Sequence, residues 1–259
     1  MEVTAQMFFV MCPLVFLAGF IDSMAGGGGL ISLPAYYLIG LPPTLAAGTN
    51  KLSSMLGTAM STFSYAKNRT IDYKVGLYSV LGAIPGSVLG AKLLQIVPKE
   101  YAQTVIVLAL PFIAFFVLRS KNSLTPVCRV DKRFATLASF LIGLVIGTYD
   151  GMIGPGTGTF LIMLFLALLG TPQMHAIGTA RIVNLASNIG ALVSFMLAGG
   201  SVLYVLGLTA GAFSILGNYL GAKCAIKGGM KFVRKLLIVV LIAIFLKLIC
   251  DLVGTWFIL

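Results

Sequence analysis

Gly26-Gly27-Gly28-Gly29, together with the run leading from it to Gly48-Thr49-Asn50-Lys51, is echoed in the second half of the chain. Gly19-Phe20-Ile21-Asp22 returns as Gly147-Thr148-Tyr149-Asp150, and the four glycines return as Gly154-Pro155-Gly156-Thr157-Gly158. Gly48-Thr49-Asn50-Lys51 returns as Gly178-Thr179-Ala180-Arg181, and Gly90-Ala91-Lys92 as Gly221-Ala222-Lys223. The spacing between copies drifts from 128 to 130 to 131, which two small insertions produce. Ordered matches at nearly constant spacing are no accident of a glycine-rich composition. The chain is a repeat of two halves.

Of the 259 residues 59% are hydrophobic and only 10% charged, with a mean hydropathy of +1.03. Soluble domains carry roughly 25% charged residues. Several apolar runs reach the ~18 residues with which a helix can cross a bilayer. Gly and Pro recur inside these runs without the period-two alternation of a membrane barrel. The fold class expected is an all-α polytopic membrane protein. A net charge of +11 does not point to nucleic acid, because most Lys and Arg stand between apolar segments, the pattern of cytoplasmic loops. Cys12, Cys128, Cys224 and Cys250 show no close pairing and no metal-ligand spacing, so neither a disulfide framework nor a metal or cofactor is expected. The first apolar run has Glu2 and no basic stretch ahead of it, unlike a cleavable leader, and it belongs to the repeat; it reads as a membrane helix.

Apolar segments fall at 7–24, 30–40, 44–66, 75–96 and 101–119, and again at 134–150, 159–170, 174–198, 202–222 and 235–258. Each half then holds about four full helices and one short one. The expected division is a first repeat over 1–120, a basic linker over 121–133 and a second repeat over 134–259. Eleven or twelve helical residues rise only ~18 Å, less than a ~30 Å hydrocarbon core. The short segments should therefore be half-helices or re-entrant pieces, joined through the glycine runs. Non-helical backbone is tolerated at membrane depth only inside protein or beside a watery cavity.

Charge in equivalent loops suggests opposite orientation of the halves. The loop after 44–66 carries Lys67, Arg69 and Lys74, while its counterpart Gly199-Gly200-Ser201 has no charge. The turn near 97–100 sets Lys99 against Glu100, while 223–235 carries Lys223, Lys227, Lys231, Arg234 and Lys235. Positive charge gathers on the cytoplasmic side, so equivalent loops fall on opposite sides. The basic linker then lies in the cytoplasm and both termini on the outer side of an inner-type membrane. Inverted repeats with interrupted helices characterise secondary transporters, whose sites lie near the midplane where the repeats meet.

Lys51 and Arg181 each lie some seven to nine residues into their segments, ~10–13 Å along a helix. A cation at that depth costs at least ~2.5–3.5 kcal/mol and is a functional candidate. With no equally placed carboxylates expected beside them, the pair suggests a small anionic substrate. The alternative is that both snorkel to an interface. Thr49, Asn50, Ser53 and Ser54 in one half, and Thr179, Asn184, Ser187 and Asn188 in the other, offer hydrogen bonds to an oxyanion. Gly27 and Gly28, and Gly156 and Thr157, would add backbone amides where a half-helix starts. Asp22 and Asp150 precede the glycine runs; they are candidates for coupling to a proton or cation, or structural partners of Lys51 or Arg181, or helix caps. Gly82, Gly86 and Gly90, like Gly207 and Gly211, read as helix-packing glycines. Tyr65, Tyr73 and Trp256 suit interface belts.

Neither glycine run continues into the Lys-Ser/Thr of a phosphate-binding loop, and no hydrolase motif is present, so the protein does not read as an enzyme. The chain resembles the sulfite exporter TauE/SafE family of membrane permeases in Asp22 to Gly29, Gly48 to Lys51 and their second-half copies. Pro155 and Ala180 depart from the pattern of the first half, so the two halves need not contribute equally. The resemblance implies a bacterial or archaeal inner-membrane protein moving sulfur-containing anions such as sulfite, sulfoacetate or other organosulfonates, in either direction. The expectation is a secondary transporter of such an anion, embedded in the lipid bilayer, with self-association into a homo-oligomer left open. Its rivals are a proton-linked or cation carrier using Asp22 and Asp150, and a non-transporting membrane assembly protein.

Overall fold

The computed structural model describes residues 4–98, 101, 109–115, 126, 128–199 and 201–228. Eight α-helices are named among them: α1 (Ala5–Ala25), α2 (Gly29–Leu38), α3 (Pro43–Lys67), α4 (Tyr73–Ile96), α5 (Ala135–Met152), α6 (Thr157–Leu169), α7 (Gln173–Leu197) and α8 (Tyr204–Ile226). Helices α1, α4, α5, α7 and α8 are long and apolar enough to cross a membrane. At 25 residues, α3 would reach ~37 Å, but its buried face carries Thr49, Asn50, Ser53, Thr58 and Ser61, which lowers its hydropathy. The protein is an all-helical, multi-pass membrane protein. The expected segment 235–258 lies outside the described residues, as does most of 101–119, of which residues 101 and 109–115 are helical.

Local chemistry sets the helix ends. Pro43 opens α3 at the first turn, where its missing N–H costs nothing. The Asp72 carboxylate caps α4, accepting from the amides of Lys74 and Val75 at 3.1 Å each. Helix α1 stops because Gly26 turns left-handed at φ 80° and donates its amide to Asp22 O; in the second half Gly154 takes φ 90°. The short α6 returns to the side from which α5 starts, since the amides of Arg129 and Val130, just ahead of α5, donate to Leu168 O at 3.1 Å each.

Contacts between helices come in matched pairs. Helix α1 packs on α8 and α4 on α5; α3 packs on α8 and α4 on α7. By the sequence correspondence α1 answers α5, α3 answers α7 and α4 answers α8, so each contact has its counterpart. The α4–α5 seam is glycine against backbone: a Cβ on Gly82, Gly86 or Gly90 would strike the carbonyls of Phe140, Leu144 and Thr148. Small residues spaced by four let helix backbones approach this closely. Gly207 and Gly211 instead face the side chains of Leu52 and Leu56.

Helices α3 and α7 run antiparallel. Thr49, near the start of α3, accepts from the amide of Leu203, past the end of α7, at 3.0 Å. Thr179, near the start of α7, accepts from the amide of Asp72, past the end of α3, at 2.9 Å. The half-helices form the apolar heart: Leu30, Ile31 and Leu33 of α2 and Leu161, Phe165 and Leu166 of α6 are buried, whereas Leu77, Leu81 and Leu89 of α4 are exposed. Exposed leucines on a membrane-length helix suit an apolar surrounding such as lipid. Tyr65 does not sit in an interface belt: it is fully buried and donates its hydroxyl to Ser23 O at 2.8 Å, because α3 turns it inward against the end of α1. Tyr73 is exposed; Trp256 lies outside the described residues.

Candidate substrate site

The two glycine breaks touch. A Cβ on Gly26 would overlap the backbone of Gly158 and Thr159, so only glycine fits there. Thr159 ties the breaks together, its amide donating to Gly26 O at 3.3 Å and its hydroxyl to Ala25 O at 2.7 Å. An ion pair lies close to this crossing in each half's helix α3 or α7.

Lys51 of α3 sits eight residues in from Pro43, ~12 Å along the helix. Its Nζ lies 2.7 Å from Asp150 Oδ2 near the end of α5, and both side chains are buried, 6% and 3% exposed. The ammonium also donates to Asn188 Oδ1 at 3.2 Å. Asp150 Oδ1 accepts from the Thr157 hydroxyl at 2.8 Å, and Oδ2 accepts from the Ser187 hydroxyl at 2.6 Å. Three donors on one buried carboxylate fix its position.

The counterpart pair joins Arg181 of α7 to Asp22 of α1, Nη1 to Oδ2 at 2.7 Å, with the arginine fully buried. Asp22 Oδ1 accepts from the Gly28 amide at 3.1 Å. Arg181 Nε and Nη2 have no hydrogen-bond partner among the described residues; Nη2 lies against Gly158, where any Cβ would collide with it. Arg181 lies ~12 Å from the start of α7, as Lys51 does from the start of α3, and α7 runs opposite to α3.

Of the roles open for Asp22 and Asp150, the pairings are those of partners to the buried cations: where no equally placed carboxylate was expected beside Lys51 and Arg181, each has one at 2.7 Å, supplied by the other half. Spacing along one half cannot reveal this, because the partners lie far apart in the chain and meet only when the halves interlock.

A cavity of about 40 Å³ lies between the broken helices, against the ~10–15 Å³ that a single water needs. From the first half Asp22, Gly28, Asn50, Lys51 and Ser54 line it; from the second, Asp150, Gly156, Thr157, Asn184 and Asn188. Ser32, Thr58, Ser214 and Asn218 also line it and escaped the sequence reading; in glycine- and alanine-rich helices such small polar residues look like packing. Arg181, Gly27, Thr49, Thr179 and Ser53 are not in the lining. Thr49 and Thr179 clamp loops, as described above. Ser53 accepts from the Tyr36 hydroxyl at 2.9 Å and donates to Asn50 O at 3.0 Å. Among the described residues no cluster of three or more His, Cys, Asp or Glu could hold a metal ion.

Membrane-length helices packed around two broken ones, with a polar, charged cavity at their crossing, are the build of a polytopic membrane transporter. The Sulfite exporter TauE/SafE family matches this chain over residues 11–248, and the chain belongs to that family. A protein of Sinorhizobium sp named "Probable membrane transporter protein ORF9" is 36% identical over 236 residues, covering 91% of this chain and 90% of that protein. A "Probable membrane transporter protein" of Haemophilus influenzae is 31% identical over 261 residues, 99% of either chain. The Escherichia coli "Probable membrane transporter protein YfcA" is 31% identical over 236 residues, 91% of this chain and 87% of the other. No solved structure gives a significant match. The protein is a membrane transporter, and its family and relatives are transporters rather than enzymes.

Proposed function

We propose that the protein carries a small sulfur-containing oxyanion, such as sulfite or a short organosulfonate, across the cytoplasmic membrane by alternating access. The observation that carries this reading is Lys51: its ammonium borders the cavity between the broken helices, among the amides of Asn50, Asn184 and Asn188 and the hydroxyls of Ser54 and Thr157. An oxyanion entering there would exchange its hydration for these donors. The small cavity favours an anion of few atoms, with larger sulfonates requiring the helices to part. Arg181, outside the lining, would hold Asp22 and the broken α1 in place rather than touch the substrate.

The halves are inverted repeats in this reading, 1–120 and 134–259 joined by a cytoplasmic linker at 121–133, with both termini outside. The antiparallel run of α3 and α7, and loop contacts that pair the start of each with the end of the other, support it. Exchange of environment between such halves moves the access path from one side to the other.

A second reading has its own support. Because each cation already has a carboxylate, the site is formally neutral, as a proton-linked or cation carrier using Asp22 and Asp150 would require. Uptake of labelled sulfite, sulfoacetate, taurine and a carboxylate control into proteoliposomes separates the two. Lys51→Ala should abolish sulfite or sulfonate flux; unchanged anion flux in that variant removes the anion reading, and cation flux that survives it favours the second.

A further inference from the structure

Resting on the anion reading above, we propose that Asp150 is the proton carrier of the cycle: it takes up one proton for each negative charge bound at Lys51, while Asp22 stays ionised throughout. The argument begins with charge. Lys51, Arg181, Asp22 and Asp150 sum to zero, so an arriving anion leaves one uncompensated negative charge at membrane depth, which is costly. A proton on one of the two carboxylates restores neutrality.

The surroundings choose which carboxylate. The Thr157 hydroxyl lies 2.8 Å from Asp150 Oδ1 and 2.6 Å from Gly154 O. It has one proton and two acceptors. The Ser187 hydroxyl likewise lies 2.6 Å from Asp150 Oδ2 and 3.0 Å from Asn184 O. With Asp150 ionised, both hydroxyls donate to it. With Asp150 protonated on Oδ1, Thr157 turns its proton to Gly154 O and accepts from the new O–H, and Ser187 can turn to Asn184 O. Neither state leaves a buried hydroxyl unpaired. Lys51, released from Oδ2, keeps Asn188 and faces the cavity, where the anion supplies the lost charge.

Asp22 has no such latitude. Its donors are the Gly28 amide, which cannot reverse, and the Arg181 guanidinium, which does not lose its proton. Arg181 does not line the cavity and, among the described residues, two of its nitrogens have no hydrogen-bond partner. Protonating Asp22 would strip the carboxylate that Arg181 pairs with, with no anion in the cavity able to replace it. The other groups around Asp150 do not compete for the proton: α4 presents Ser87 and small residues to α5, and Tyr149 directs its hydroxyl to Pro155 O. The remaining cavity charges are Lys51 and Asp22. The step balances: a proton from one aqueous side joins Asp150 Oδ1, one anion joins Lys51, and both leave on the other side as the Lys51–Asp150 contact re-forms.

The test uses the full chain in proteoliposomes enclosing a pH dye, with labelled ethanesulfonate, whose charge does not titrate, and labelled sulfite as probes. In the wild type, anion entry should bring protons inward about one to one for ethanesulfonate, and one pH unit of gradient should drive about tenfold accumulation. Asp150→Asn should lose gradient-driven accumulation, and whatever anion entry remains should bring no protons inward. Thr157→Val should shift the pH profile of flux, and Thr157→Ser should restore it. Anion flux without proton entry in the wild type, or gradient-driven accumulation that persists in Asp150→Asn, overturns the inference and leaves the anion reading intact. If Asp150→Asn does not fold, the proton count in the wild type and the Thr157 pair decide. Wild-type vesicles that move neither probe overturn the anion reading and the inference with it.

Discussion

The ammonium of Lys51 lies 2.7 Å from the carboxylate of Asp150, so a charge from one half of the chain is held by the other. Removing either partner alone strands a buried charge, which costs ~3–5 kcal/mol, whereas replacing both can be neutral. Lys51→Met and Asp150→Asn should each lower the thermal unfolding midpoint in detergent, and the double variant should recover most of the loss. Additive losses would mean the two groups do not interact in the folded protein. Transport of anions should be absent in the double variant, as in Lys51→Met, since the cavity has lost the Lys51 cation.

Thr49 and Thr179 report on architecture rather than on ligand. Each accepts from a loop amide, of Leu203 and Asp72 respectively, and neither lines the cavity. Valine at either position orphans that amide, at ~1–3 kcal/mol. The expected result is lower thermal stability with an unchanged half-saturating substrate concentration. A rise in that concentration without loss of stability would return these threonines to the site.

Glycines that meet backbone should tolerate bulk less than glycines that meet side chains. Gly147 faces the backbone of Ala83, while Gly207 faces the Leu52 side chain. Overpacking costs ~1–3 kcal/mol where neighbours can adjust, and more where they cannot. Gly147→Val should therefore reduce folded yield from membranes well below that of Gly207→Val. Equal yields would contradict the close α4–α5 seam.

The proposed inversion of the halves can be tested by labelling. Single cysteines at Asn68 and Ala198, both exposed, in a background lacking the four native cysteines should react with an impermeant maleimide from opposite sides of inner-membrane vesicles. Asn68→Cys should label from the cytoplasmic face and Ala198→Cys from the outer face. Labelling of both from one face contradicts inverted repeats.

Much of the fold was legible because glycine punctuates it. The repeated run from Gly26 to Lys51 marks where helices break, and segment length separates the short α2 and α6 from the long helices. The site was legible only in part. Lys51 and Asp150 announce themselves as charges inside apolar runs, but nothing local says that Asp150 answers Lys51 and Asp22 answers Arg181. Thr58, Ser214 and Asn218 were missed because a small polar residue in an apolar helix carries no sign of which face it occupies. Tyr65 misled for the same reason: an aromatic near a segment's end suits an interface equally well until packing turns it inward.

The bond from the Thr159 hydroxyl to Ala25 O has a bearing on biosynthesis. When the ribosome has made only the first half, the kink after α1 has no mate, and Asp22 and Lys51 wait in the bilayer for residues not yet translated. Two fragments cut within the proposed linker at 121–133 should therefore complement each other when co-expressed, while either alone is degraded.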